Sequence, residues 1–301
     1  MDRLEAMSVF IRVVEAGSFA GAADGLGMPR STVTTAVQAL EGHLKVRLLN
    51  RTTRKLSPTP DGEAYYERCR HLIADLEDLE SSLAEASRKP RGQLRVDAPA
   101  NIARPLLIPE IGAFHARYPD VELIFGLSDR RIDLVAEGLD CVIRIGEMED
   151  SSLISRRVGT YHRVACASPA YLSRYGEPRD MDDLRRHKAV NYISWRTGRV
   201  FPWEFVVGST NVDVRMRGPI AVNDADAYVA CGLQGLGLIM PPLFMARGHL
   251  DSGALVAVLP HHTLRSLPIS IVYPENRLLS PKVRVFADWV TEVIAREPLI
   301  D

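Results

Sequence analysis

Apolar residues recur near the start of the chain at Leu4, Met7, Ile11 and Val14, with Phe10 alongside, a three-and-four spacing that predicts one helix with a single buried stripe. A shorter helix is predicted behind Ser18, whose hydroxyl can accept from the free N–H groups of a first turn; Phe19, Ala22, Ala23 and Leu26 follow at helical spacing. Gly25 and Gly27 end it, and Pro29 suits the first position of a third helix, where no backbone N–H is needed. This third helix sets Val33, Val37, Leu40 and Leu44 on one stripe and turns Arg30, Thr34 and Gln38 the other way, with Ser31, Thr32 and Thr35 close by. The run from Ser31 to Thr35 is a poor helix former, because branched side chains lose rotamer freedom and Ser competes for the backbone. Tertiary packing must therefore hold it helical. A short face of Arg, Gln and Thr on a helix behind a tight turn suits the reading of base edges in a major groove, and equally the solvated surface of a small helical domain.

Beyond Leu44 the pattern shortens. Val46 to Asn50 and Arg54 to Ser57 are predicted to pair as a hairpin with Arg51-Thr52-Thr53 at its tip, which would set Arg51, Thr53 and Arg54 against a sugar-phosphate backbone. The net charge is −1 over 301 residues, yet between Arg30 and Lys55 six basic residues face one acid, Glu41, so the basicity is local and suits a phosphate footprint. Thr59-Pro60 reads as an N-cap and first helical residue, opening a helix that carries Tyr65, Cys69, Leu72, Leu76, Leu79 and Leu83 at alternating steps of four and three. So narrow a seam between acidic flanks predicts self-association, and Arg88-Lys89-Pro90-Arg91-Gly92 ends the helix.

From Gln93 onward short apolar runs alternate with helical segments. Strands are predicted at Leu94 to Val96, Val121 to Leu127 and Asp140 to Ile145, with helices near Ile102 to Tyr118 and Asp129 to Glu137 between them, an order that implies a parallel sheet. A second set follows, with strands at Val164 to Ala167, Ala189 to Ile193, Val200 to Val207 and Gly237 to Met240, and helices at Pro169 to Tyr175 and Asp224 to Cys231. Ile269 to Tyr273 and the amphipathic helix Lys282 to Arg296 close the chain. The fold class is α/β, with two lobes behind a head of three short helices and a hairpin and a long linking helix.

Composition narrows the class further. At 46% hydrophobic and 25% charged residues the chain is ordinary globular protein, long enough for two or three domains, with no apolar run of membrane-spanning length. MDRLEAMSVF lacks a secretory pattern, so a cytoplasmic protein with no membrane partner is expected. Cys69, Cys141, Cys166 and Cys231 stand far apart and read as small buried hydrophobes; neither a metal site nor a cofactor is expected. Gly232-Leu-Gln-Gly235-Leu-Gly237 follows a helix and precedes a strand, the reverse of dinucleotide-binding order, and His261-His262 beside Pro260 reads as a surface turn. No catalytic residue is assigned.

Residues 1–59, above all LGMPRSTVTTAVQALEGHLKVRLLNRTTRKLSPTPDG, resemble the winged helix-turn-helix of LysR-type transcriptional regulators, and the resemblance extends more loosely over the whole chain. The family commonly carries Arg where this chain has Thr35, and often Ser then Gln where it has Pro29 then Arg30. The resemblance implies a DNA-binding domain at 1–59, a dimerising linker helix at 60–89 and an effector domain at 90–301 like a periplasmic binding protein. Its first lobe would span about 90–163 and 268–301, its second about 164–267. Expected partners are an inverted-repeat promoter site in double-stranded DNA, a second or fourth copy of the chain, a small effector between the lobes, and RNA polymerase as a further candidate. The cleft should be lined by loops at strand ends where helices begin, which points to Ala100, Asn101, Ser128, Asn223 and Asp224, with Arg144 and Trp195 as walls. Asn101, Ser128 and Asn223 are equally suited to capping helices, and Trp195 to a core. Arg144 can pair with a ligand carboxylate or with an internal acid such as Asp140 or Glu147, which leaves the ligand's charge open. The competing readings are a redox-sensing regulator and a ligand-processing enzyme built on the C-terminal lobes.

Overall fold

The computed structural model describes residues 2–51, 56–83, 89–128, 134, 137–147, 153–194, 197–274 and 280–300, with the side chains of Arg51 and of most of the last part of the helix Pro60–Leu83 left aside. The chain divides into two compact units, Met1–Arg88 and Lys89–Asp301.

The first unit is built from α1 (Arg3–Ala16), α2 (Phe19–Leu26), α3 (Arg30–Leu44), the strands β1 (Leu49–Arg51) and β2 (Leu56–Pro58), and α4 (Pro60–Leu83). Ser18 caps α2 as its sequence position implies, accepting from Gly21 N at 3.0 Å. Three local expectations shift. The buried residues of α1 are Ala6, Val9, Phe10, Ile11 and Val13, so Ile11 is buried as expected, while Leu4 is 42% exposed and Met7 and Val14 reach the core only at its edge. Phe10, fully buried and packed at a tilt against Tyr65 at 5.8 Å between centroids, sets the rotation because it fills the largest volume. Pro29 is the cap residue of α3 and not its first helical position; its carbonyl accepts from Thr32 N and Val33 N. The hairpin is shorter than Val46–Asn50 with Arg54–Ser57: its register pairs Leu49 with Pro58 and Arg51 with Leu56. Residues 47 and 48 are diverted from the ladder, since Leu48 N donates to Glu41 Oε1 (2.8 Å) and the Arg47 carbonyl accepts from the Thr59 hydroxyl (2.8 Å).

The second unit opens with β3 (Gly92–Ala98) and α5 (Ala100–Ile102). A widened turn (Ala103–Leu107) and a tightened one (Ile108–Glu110) lead on into α6 (Ile111–Arg117). Pro105 and Pro109, which cannot donate to the preceding turn, fall in these irregular turns. Then come β4 (Val121–Leu127), β5 (Cys141–Ile145), β6 (Leu153–Tyr161), β7 (Cys166–Ala167), α7 (Pro169–Tyr175), β8 (Lys188–Tyr192), β9 (Trp203–Val207), β10 (Thr210–Val214), β11 (Arg217–Val222), α8 (Ala225–Leu233), α9 (Leu243–Asp251), β12 (Val256–Ala257), β13 (Leu267–Pro274) and α10 (Pro281–Ile294). Five strands form one sheet in the order β4-β3-β5-β13-β6.

That sheet is mixed and not all parallel. β3 runs parallel to β4 and β5, but β13 returns from the second lobe and lies antiparallel to both β5 and β6. One face carries Leu94, Val96, Cys141, Ile143, Ile269 and Ile271 against Phe286, Trp289, Val290 and Phe114. β6 escapes sequence prediction because it is an edge strand with Ser155, Arg156, Arg157 and Thr160 among its apolar residues. In the second lobe β10, β11, β12 and α9 are additions, and the expected strands at Val164 and Val200 begin later, at Cys166 and Trp203. Gly237 to Met240 forms no ladder: Leu238 bridges Ala189 and Ile239 bridges Cys166, two different neighbours for adjacent residues. The predicted helix Asp129 to Glu137 lies largely outside the described residues.

Candidate functional site

In the first unit the turn between α2 and α3 is closed by Gly27, whose φ of +63° a Cβ would strain, and by Met28 N donating to the Ala23 carbonyl at 3.0 Å. α3 is then anchored through Val33, Ala36, Val37 and Leu40, all buried, which is the packing its poor intrinsic propensity calls for. Its outer face presents Arg30, Ser31, Thr35 and Gln38 exposed, with Thr32 and Thr34 half-buried. The Thr34 hydroxyl donates to the Arg30 carbonyl at 2.9 Å, so it reaches outward as an acceptor. Lys45 adopts the left-handed conformation (φ 56°) to end the helix and, with Arg47, leaves two exposed cations beyond it. Glu41 turns inward, its Oε1 accepting from Leu48 N (2.8 Å) and Leu49 N (3.2 Å), so the single acid of this stretch is occupied in bonds to backbone. Arg51 is described by its backbone alone, in β1, and Thr53 and Arg54 lie outside the described residues.

Along α4 the seam divides. Cys69 is 1% exposed, and Tyr65 packs half-buried on the core of its own unit. Burial raises both their pKa values. Leu76 is half-buried and Leu72 is 55% exposed, so the outward-facing part of the seam begins at Leu72. Cys69 is thus spent within the chain, because α1 reaches as far along α4 as Phe10 and Tyr65. For Leu79 and Leu83 only the backbone is described.

In the second unit two polar groups converge at the C-terminal end of β3. Asp97, 3% exposed, accepts from the Ser128 hydroxyl (3.1 and 3.0 Å to its two oxygens) and from Arg144 Nη1 (3.2 Å). Burial pushes the Asp97 carboxyl above the usual range, and Ser128 and Arg144 pull it back only in part. Arg144 Nη2 is buried without a hydrogen-bond partner. The internal acid that Arg144 finds is therefore Asp97 and neither Asp140, which sits by Lys282 at 3.7 Å and accepts from Arg95 N, nor Glu147, which pairs with Arg265. Asp97 was missed, although its alternation with Leu94, Val96 and Ala98 already turned it away from the core face.

Directly after β3, half-buried Ala100 starts α5, and Asn101, 8% exposed, donates from Nδ2 to the Tyr161 hydroxyl at 2.8 Å while its Oδ1 is buried without a partner. Arg104, three residues on, bridges to the second lobe, its Nη1 lying 2.6 Å from Asp226 and 3.9 Å from Asp224. Asp224 also caps α8, accepting from Ala227 N at 2.9 Å. Asn223 is exposed and offers its carbonyl to the Tyr192 hydroxyl (3.1 Å). Ser128 and Arg144 thus share one acid, Ala100 and Asn101 stand beside the Arg104 bridge to Asp224, and Trp195 lies outside the described residues. A donor (Arg144 Nη2) and an acceptor (Asn101 Oδ1) free within otherwise satisfied surroundings equip the end of β3 to hold a polar ligand. Among the described residues no group of His, Cys, Asp and Glu is arranged to hold a metal ion.

Comparison with known proteins places both units. A family model described as the bacterial regulatory helix-turn-helix protein, lysR family, matches residues 4–63, and one described as the LysR substrate binding domain matches residues 87–295. An HTH-type transcriptional repressor of Pseudomonas aeruginosa (strain UCBPP-PA14) is 39% identical over 300 residues, covering 100% of this chain and 95% of that protein. The transcriptional activator AaeR of Escherichia coli (strain K12) is 34% identical, covering 97% and 94%. Among solved structures, full-length AphB, a virulence activator of Vibrio cholerae, superposes with a TM-score of 0.58 at 30% identity, covering 97% of this chain and 99% of that one. CrgA of Neisseria meningitidis does so with a TM-score of 0.61 at 29% identity, covering 96% and 97%.

Proposed function

The chain belongs to the LysR family of transcriptional regulators, and from that premise we propose that it grips an inverted-repeat promoter site as a homodimer or homotetramer and changes that grip when a small effector occupies the region where its two α/β lobes meet. It is a DNA-binding regulator with an effector-binding domain; the residue roles and the arrangement on DNA are our reading. Residues 1–59 read DNA, 60–89 pair two copies through Leu72, Leu76, Leu79 and Leu83, and 90–301 bind the effector. The work is done in the cytoplasm, with RNA polymerase as the downstream partner, and without catalytic turnover.

The observation that carries this reading is the outer face of α3. Arg30, Ser31, Thr35 and Gln38 are exposed on a helix fixed by a buried stripe, and the cations Lys45 and Arg47 follow at its far end. Arg30 and Gln38 suit base edges, while Arg51, Thr53 and Arg54 suit phosphates. An effector acts through its differential affinity for two lobe arrangements, with Ala100, Asn101, Ser128, Arg144, Trp195, Asn223 and Asp224 as its contacts.

Titration of the full chain against its own promoter fragment and random duplex separates these roles. Arg51→Ala and Arg54→Ala should weaken binding to both DNAs and lower the salt slope by about one each, whereas Gln38→Ala and Arg30→Ala should lose about 1–3 kcal/mol on the promoter alone. Equal losses on both duplexes for all four variants would overturn the division.

A further inference from the structure

A polar cavity of about 380 Å³ opens on the five-stranded sheet among residues of the first lobe and its junction with the second. Glu147 stands at the end of β5, Ser155, Arg157 and Thr160 come from β6, and Ser266 and Ser270 come from the approach to β13 and from β13 itself. None of Ala100, Asn101, Ser128 or Arg144 lines it.

Its floor is peculiar for a sheet interior. Ser270 sits between Ile269 and Ile271 in β13 and is 5% exposed, yet no hydrogen bond to its hydroxyl is found among the described residues. A bulge falls at this point: Ile269 pairs with Gly159 and Ser270 with Arg157, leaving Val158 without an opposite number. Bulges re-aim side chains next to binding sites, and here the row Ser155–Arg157 and Ser270 is turned into one cavity.

The chemistry of the walls selects a ligand. Arg157 donates one bond, from Nη2 to the Thr160 hydroxyl at 2.7 Å, and no acid pairs with it among the described residues. The one carboxylate at the rim, Glu147, is drawn off to Arg265 at 3.4 Å. Among the described residues the lining therefore offers a guanidinium with no acid partner and several hydroxyls that can both donate and accept, with no aromatic surface and carbon-rich walls at Leu267 and Pro268. We propose that this cavity binds a small polyhydroxylated carboxylate, a sugar acid of up to about six carbons at the lower end of small-ligand pocket sizes. Its carboxylate sits on Arg157 and its hydroxyls on Ser155 and Ser270. The site is additional to the effector contacts above, although it borders one of them: Arg144 of β5 stands opposite Ser270 of β13.

Calorimetric titration of the full chain, without DNA, with glycerate, threonate and gluconate tests the assignment, with sorbitol and hexanoate as probes lacking one half of the recognition. At least one sugar acid should bind saturably, and sorbitol and hexanoate about tenfold more weakly or worse, the loss of roughly one charge-assisted contact. Arg157→Gln, an exposed edge-strand change that the fold tolerates, should weaken that acid about tenfold, and Ser270→Val severalfold; Arg156→Gln, whose side chain pairs with Asp288 and does not line the cavity, should leave it unchanged. Saturable binding by none of the three acids, equal binding of hexanoate, or loss on Arg156→Gln with retention on Arg157→Gln would each overturn the proposal.

Discussion

Asp97 has two partners and is still held above the ordinary aspartate range, because burial outweighs Ser128 and Arg144 together. A carboxyl that binds its proton more tightly folded than unfolded supports the fold fully at low pH, and that support is lost as pH rises through the folded value. The stability difference between the native chain and Asp97→Asn should therefore move against the native chain as pH increases. Urea unfolding between pH 4.5 and 7.5 reads this trend, with a slope no steeper than about 1.4 kcal/mol per pH unit for one proton. A difference that grows with pH would mean that the ion pair outweighs desolvation. Burial acts in the same direction on thiols: Cys166 is pushed up to about 12, and Cys141 is raised by its surroundings with the Asp140 charge adding to the effect. Since the thiolate is the reactive form, iodoacetamide at pH 8 should reach half-buried Cys231 first, with Cys141 and Cys166 at least about tenfold slower, as mass spectrometry of the native chain would record. Comparable labelling of Cys166 would revive a redox role for the lobes.

At the level of elements, the start of α4 is stitched to Arg47 and Leu48, the residues that lead into β1. Thr59 N donates to the Leu48 carbonyl (2.9 Å), the Thr59 hydroxyl donates to the Arg47 carbonyl and accepts from Gly62 N (2.9 Å), and a Cβ at Gly62 would collide with the Leu48 carbonyl. Gly62→Ala should cost about 1–3 kcal/mol, since backbone and not a flexible side chain must yield. Gly25→Ala, in α2 with open space around it, should gain about 0.5–1 kcal/mol. Thermal melting of the two variants decides; a neutral Gly62→Ala would show that α4 shifts freely against the hairpin. Thr59 and Pro60 were legible in sequence because a cap and a proline act locally, and α7 appeared with its predicted bounds, Pro169 to Tyr175, behind the Ser168 cap. The rotation of α1 was not, since its spacing supports two stripes and Phe10 decides between them only by meeting Tyr65. Likewise β6 and the Asp97–Arg144 pair depend on strands 47 residues apart or more being laid side by side, which periodicity along the chain does not encode.

For the second unit as a whole, two ionic ties cross between the lobes among the described residues. On one side Arg104 reaches Asp226 and Asp224; on the other, Arg265, on the return crossing, links Glu147 of the first lobe (3.4 Å) to Glu204 of the second (3.0 Å), which also holds Arg163 of the outgoing crossing at 3.0 Å. The two ties differ in weight. Arg104 and Asp226 are 53% and 59% exposed, so their pairing is worth no more than about 1 kcal/mol, whereas Arg163 and Glu204 are far less exposed and the carboxylate is shared by two guanidinium groups. The Arg104 side is accordingly where the lobes part at least cost, with the Arg163–Glu204–Arg265 side as the fixed edge. Loss of about 0.5–1 kcal/mol shifts an opening equilibrium about two- to fivefold. Arg104→Ala should speed amide exchange by that factor both around Ala103–Leu107 and in the first turn of α8, because one opening exposes both faces. Glu204→Gln should instead lower the melting temperature of the unit. Faster exchange confined to the turn that carries the substitution would mean that Arg104 ties down only its own backbone, and that the lobes are held together elsewhere.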